Sequence, residues 1–199
     1  MKNYIMICAA GMTFMLPQMT FAQDWTGLYI GAQGGYSSYG EDENTNISFD
    51  GLQYGILGGY SVLSGGLYIA GEAEFSLSNV GAESSIDSLG ISASVDETSI
   101  GSISLIIGGL TTPNTLIYGK VGAFSTNFEA KVDTPLFDID TDETGTGYKL
   151  GIGAEFVSQN NISFRGEVSY FNGSVDIDGL PDGIEYEGGS LSLGVISRF

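Results

Sequence analysis

The stretch Gly189-Ser190-Leu191-Ser192-Leu193-Gly194-Val195-Ile196-Ser197-Arg198-Phe199 alternates two kinds of residue. Successive side chains of a β-strand point to opposite faces, so one face carries Leu191, Leu193, Val195 and Phe199. The other carries Ser190, Ser192, Gly194, Ile196 and Arg198. The first face suits hydrocarbon, and the second suits a crowded polar interior better than a second oily surface.

Working back along the chain, the same alternation recurs in segments long enough to cross a bilayer at a tilt, roughly 9–11 residues each. Eight are counted: 25–37, 51–62, 67–78, 99–110, 116–128, 145–157, 162–172 and the terminal stretch. The third is the clearest, with Leu67, Ile69, Ala73, Phe75 and Leu77 opposing Tyr68, Ala70, Glu72, Glu74 and Ser76. Tight connections, 63–66, 111–114 and 158–161, alternate with long ones, 38–50, 79–98, 129–144 and 173–187. Together these predict an all-β fold, an eight-stranded antiparallel up-and-down transmembrane β-barrel with long extracellular loops and tight periplasmic turns.

Residues 1–22 read as a cleaved secretory signal peptide: Lys2, an apolar run over 4–16 broken by Gly11, then Pro17 and the small-x-small motif Thr20-Phe21-Ala22. Cleavage is expected between Ala22 and Gln23, leaving 23–199 as one outer-membrane β-barrel domain. The single cysteine, Cys8, falls in the leader without a lipobox, so neither a disulfide nor a lipid anchor is expected. A net charge of −18 argues against nucleic acid as a partner.

Charge placement tests the two faces independently. Outside the leader the basic residues are Lys120, Lys131, Lys149, Arg165 and Arg198. Four of them fall in the predicted strands, all on the face opposite the apolar one, as do Glu72, Glu74, Glu155 and Glu167. A Lys or Arg facing lipid near the midplane costs roughly 2–4 kcal/mol. An interior charge network of Glu72, Glu74, Glu155 and Glu167 against Lys120, Lys149, Arg165 and Arg198 is therefore expected to fill the barrel. The same residues would also serve as a gate or narrow ion path, although eight strands leave an interior just wide enough for side chains.

The run Trp25-Thr26-Gly27-Leu28-Tyr29-Ile30-Gly31-Ala32-Gln33-Gly34-Gly35-Tyr36, the segment Leu116-Ile117-Tyr118-Gly119-Lys120-Val121-Gly122 and the terminal Phe199 resemble those of the small eight-stranded outer-membrane barrels. The chain is similar to the OmpA transmembrane domain and, more nearly, to the stand-alone porin-family surface antigens of Gram-negative bacteria. That resemblance covers the chain after the leader. It implies location in the outer membrane and insertion by the barrel-assembly machinery through an assembly signal made of Leu191, Leu193, Val195 and Phe199. It further implies a role in surface adhesion or envelope integrity. With no segment after Phe199, cell-wall anchoring is not carried over from OmpA.

An enzyme is not expected. Hydrolases built on such barrels rely on histidine, and the chain has none. Glu72 and Glu74 could act as paired carboxylates, but they lie two residues apart on one strand among basic residues, which packing explains better. No cofactor motif is present. Asp138-Ile139-Asp140-Thr141-Asp142 opens like an EF-hand loop, yet Glu143 replaces the required glycine and Lys149 the closing glutamate, leaving Asp138, Asp140 and Asp142 as a weak metal candidate. Most remaining acids lie in or beside the long connections, where they read as solvated loops or as a divalent-cation bridge to lipopolysaccharide. Trp25, Tyr36, Tyr60, Tyr118, Tyr170 and Phe199 are candidates for interfacial girdles.

Three functions stay open at this stage. One is a surface barrel in the bilayer whose loops contact lipopolysaccharide, a host molecule or another surface ligand. The second is a small pore for ions or solutes. The third is a secreted lipocalin-type barrel with the apolar face turned inward, since periodicity alone does not say which face is inside.

Overall fold

A computed structural model describes residues 25–40, 48–86, 91–133, 138–158, 161–175 and 184–199. The alternating segments form eight strands: β1 Gly27–Gly40, β2 Ser48–Ser64, β3 Leu67–Ile86, β4 Ile91–Thr112, β5 Thr115–Asp133, β6 Asp138–Val157, β7 Ile162–Val175 and β8 Ile184–Arg198. Each pairs antiparallel with the next, and β1 closes on β8 from Tyr29↔Arg198 to Gly40↔Glu187, so the sheet has no seam across the barrel. Closure satisfies every strand edge through the wall, which is what a β-structure needs in lipid.

The fold is turned inside out relative to a soluble protein. Leu28, Ile56, Ile103, Ile152 and Leu193 lie exposed on the outer wall, while Glu155, Lys120, Arg165 and Arg198 are buried in the lumen. This overturns the lipocalin arrangement, which requires the apolar face inside. The β2–β3 connection is a two-residue turn at Gly65 and Gly66, with φ of 59° and 89°. Positive φ at both central positions suits the twist of a tight hairpin and favours glycine.

Two expectations need correction. Residues 79–98 and 129–144 are largely strand rather than loop: β3 and β4 stay paired to Ile86↔Ile91, and β5 and β6 to Asp133↔Asp138. The span length of a bilayer limits only the part of a strand that crosses lipid, whereas ladder hydrogen bonds extend it beyond. Ile91-Ser92-Ala93-Ser94-Val95 already carried the alternation. Bulges at Leu77/Val80 and Glu97/Ser99 mark where the extension begins.

The second correction concerns the aromatics. Tyr36, Tyr60, Tyr170 and Phe199 are exposed on the outer wall, but Trp25 and Tyr118 are buried inside. Tyr118 alternates with the lipid-facing Ile117, and Trp25 precedes β1 and turns into the mouth. There its indole N–H donates to the Pro113 carbonyl at 3.1 Å, and its ring meets Tyr68 edge-on at 6.1 Å.

Two apolar clusters divide the lumen. At the end bearing the short turns, Trp25, Tyr29, Leu57, Tyr68, Leu116 and Ile196 pack with their neighbours. Toward the other end Ile100, Phe124 and Phe171 pack with Tyr186. The charged residues sit between.

Candidate functional site

Five strands deliver eight charges to one layer: Glu72 and Glu74 from β3, Lys120 from β5, Lys149 and Glu155 from β6, Arg165 and Glu167 from β7, and Arg198 from β8. Positions two apart on a strand share a face, so β3 and β7 each present two charges at adjacent heights. Glycines make the room. A Cβ on Gly151, opposite Lys120, would stand 2.9 Å from Ser169 Oγ and 3.4 Å from Glu167 Oε1.

All eight expected network residues are brought together. Lys120 Nζ lies 2.8 Å from Glu72 and 2.8 Å from Glu167, and it also pairs with Glu74. Lys149 reaches Glu74 at 2.5 Å and Glu167 at 3.7 Å. Arg165 bridges Glu72 at 2.6 Å and Glu155 at 2.9 Å, and Arg198 takes the other oxygen of Glu155 at 2.6 Å. Four carboxylates face two ammonium and two guanidinium groups, so the layer is neutral.

Neutral donors complete it. Tyr118 donates to Glu167 at 2.7 Å, Ser169 to Glu167 at 2.9 Å and Ser102 to Glu74 at 3.0 Å. Arg165 stacks 5.3 Å from the Tyr118 ring centre and Arg198 4.8 Å from that of Trp25. Burial strengthens such bonds and makes any unpaired member costly. Above the layer a cavity of about 30 Å³ is lined by Gln33, Gln53, Ser76, Lys149, Ser190 and others. It has space for about one water molecule.

The paired carboxylates Glu72 and Glu74 are engaged by Lys120, Lys149, Arg165 and Ser102, and neither stands free as an acid or base. Of the aromatic walls, Tyr68 lies on the face read as polar, Trp25 and Tyr118 are girdle candidates that turn inward instead, and Tyr29, between the outward Leu28 and Ile30, is legible by alternation alone. Leu191, Leu193 and Val195 face outward on β8, and the Phe199 amide donates to the Leu28 carbonyl at 2.9 Å. Ala22, Gln23 and the side chains of Asp138, Asp140 and Asp142 lie outside the described residues. Among the described residues no group of three or more metal-ligating side chains is assembled.

An apolar outer wall, a closed ladder and a neutralised ionic core define a class, the transmembrane β-barrels. Residues 6–199 match the outer membrane protein beta-barrel domain, and the chain belongs to that family of the Gram-negative outer membrane. It is 28% identical over 177 residues to the 31 kDa outer-membrane immunogenic protein of Brucella melitensis biotype 1, covering 77% of this chain and 72% of that protein. The protein of the same name from Brucella suis biovar 1 matches equally.

Among solved structures, Neisserial surface protein A superposes with a TM-score of 0.56 at 18% identity, covering 87% of this chain and 98% of the other. Ail, the attachment invasion locus protein of Yersinia pestis, was solved in complex with the heparin analogue sucrose octasulfate. It superposes at 0.53 with 17% identity, covering 87% and 99%. These two share the fold.

Proposed function

We propose that this outer-membrane surface protein is non-enzymatic, that its barrel is a solid support, and that its extracellular ends carry adhesion or envelope contacts. The observation that carries the proposal is the ionic layer, which fills the lumen between two apolar clusters and engages its own four carboxylates in ion pairs, in a chain that has no histidine. Residues 1–22 direct export, and Leu191, Leu193, Val195 and Phe199 are read by the barrel-assembly machinery. The ends with long strand extensions face outward, beside lipopolysaccharide, where divalent cations offset the acids.

The ligand of Ail, a sulfated analogue of heparin, is anionic. A chain of net charge −18 would repel such a molecule, so a cationic or cation-bridged partner suits this surface better. Planar-bilayer recording and labelling of intact cells test the proposal together. No reproducible conductance and accessible epitopes at 129–144 are expected; stable channels, or epitopes reached only after permeabilisation, would overturn it.

A further inference from the structure

Around the ring, each strand joint but one links strands that follow one another in the chain, so a covalent connection keeps the pair together. The exception is β1 against β8, the joint that closes the barrel. First and last elements fray unless they are tied down, and an unfastened joint would turn a closed wall into two open strand edges in lipid. The fastening is most needed where this ladder starts, at Tyr29↔Arg198.

Side chains from distant strands converge on that point. The Arg198 guanidinium donates to Glu155 of β6 at 2.6 Å, to the Ser61 hydroxyl of β2 at 3.2 Å and to the Tyr68 hydroxyl of β3 at 3.4 Å. It lies 4.8 Å from the ring centre of Trp25, 5.0 Å from that of Tyr29 and 5.8 Å from that of Tyr68. Trp25 is held in turn: its carbonyl accepts from Ser61 Oγ at 2.7 Å, and its indole reaches Pro113 in the β4–β5 turn. Beside it Thr26 Oγ1 accepts from the Leu63 amide at 3.0 Å. Ser61 thus bonds to both Trp25 and Arg198, and all three are buried.

These contacts couple the closing joint to the rest of the wall. For β8 to part from β1, Arg198 must leave Glu155, Ser61, Tyr68 and the Trp25 ring together, and a guanidinium moved from such a cage toward lipid is costly. Lys120 carries a comparable set of charge contacts, but its partners Glu72, Glu74 and Glu167 lie on β3 and β7, away from the joint.

We propose that Trp25 and Arg198 form a lock on the closing joint, which keeps β1 on β8 and sets how readily the barrel opens at the end bearing the short turns. The role is conformational and independent of what the outer surface contacts.

The test compares parent, Arg198→Met and Lys120→Met barrels purified from outer membranes into detergent micelles. Arg198→Met is expected to raise amide exchange about tenfold at 27–31 and 195–199 while leaving 101–107 of β4 unchanged. Lys120→Met should not single out the joint. Both variants should unfold faster in urea. A disulfide from Ile30→Cys and Ser197→Cys then replaces the lock. These positions are directly opposed and alternate with the inward Tyr29 and Arg198, at the roughly 4.5–5.5 Å Cα separation that a disulfide spans. With it in place, the excess unfolding rate of Arg198→Met over its own disulfide-bearing parent should fall from about tenfold to about twofold, whereas that of Lys120→Met should persist. Should Arg198→Met not fold, Arg198→Lys takes its place, since it keeps a cation for Glu155 and loses the planar fork shared among Ser61, Tyr68 and Glu155. Exchange raised evenly around the barrel, or an excess rate untouched by the disulfide, overturns the proposal.

Discussion

Replacing Lys120 with methionine tests whether the lumen is dry and held by charge. Its ammonium sits against three carboxylates, 2.8 Å from both Glu72 and Glu167 and paired with Glu74. Without it Glu72 keeps Arg165 at 2.6 Å and Glu74 keeps Lys149 at 2.5 Å, but among the described residues Glu167 retains only Lys149 at 3.7 Å as a counter-charge. The layer passes from neutral to one excess negative charge. Removing one partner of a buried pair costs about 3–5 kcal/mol, and methionine keeps most of the volume. Adding Glu167→Gln restores neutrality and keeps an oxygen to accept from Tyr118, so the double variant should regain more than half of the loss. Urea unfolding in phospholipid vesicles, followed by the fluorescence of Trp25, the chain's one tryptophan, measures each value. A loss under about 1 kcal/mol for Lys120→Met is the range of solvent-screened pairs. It would refute the dry-lumen reasoning.

Other substitutions probe the wall and the mouth. Leu193→Lys, placed on the outer wall where the leucine is 70% exposed, should cost roughly 2–4 kcal/mol in vesicles; an unchanged urea midpoint would mean that this face does not meet hydrocarbon. Gly59→Ala would put a Cβ 2.5 Å from the Tyr29 ring, while Gly71→Ala meets nothing within 4 Å. The first should lose about 1–3 kcal/mol and the second should be near neutral by the same titration. Trp25→Ala removes the bond to Pro113 and the contacts with Tyr68 and Arg198. A loss of about 3–5 kcal/mol is expected, read as a lower temperature for conversion from the folded to the unfolded gel band.

Legibility followed the reach of each interaction. Alternation in Leu67 to Leu77 needs no knowledge of a neighbour, since a strand's two faces meet different solvents whatever lies beside it. The inward assignment of Lys120, Lys149, Arg165 and Arg198 followed from the same parity, because charge in hydrocarbon is the costly alternative. Strand ends were harder to place. Beyond the lipid both faces of a strand tolerate polar residues, so the hydrophobic contrast that marks 67–78 fades in 79–98 although the ladder continues. Trp25 escaped because it precedes the first strand, where parity has no meaning.

The sequence by itself determined that the chain makes strands, how many, and which face each turns to lipid, because a period of two and the insolubility of charge in hydrocarbon are local facts. Only the tertiary structure decided that Lys120 of β5 meets Glu72 and Glu74 of β3 and Glu167 of β7, strands that do not adjoin it. Those contacts cross the lumen, and they exist only once closure of β1 on β8 sets the height at which each strand presents its charges. That height depends on the register around the whole ring, which no single segment encodes.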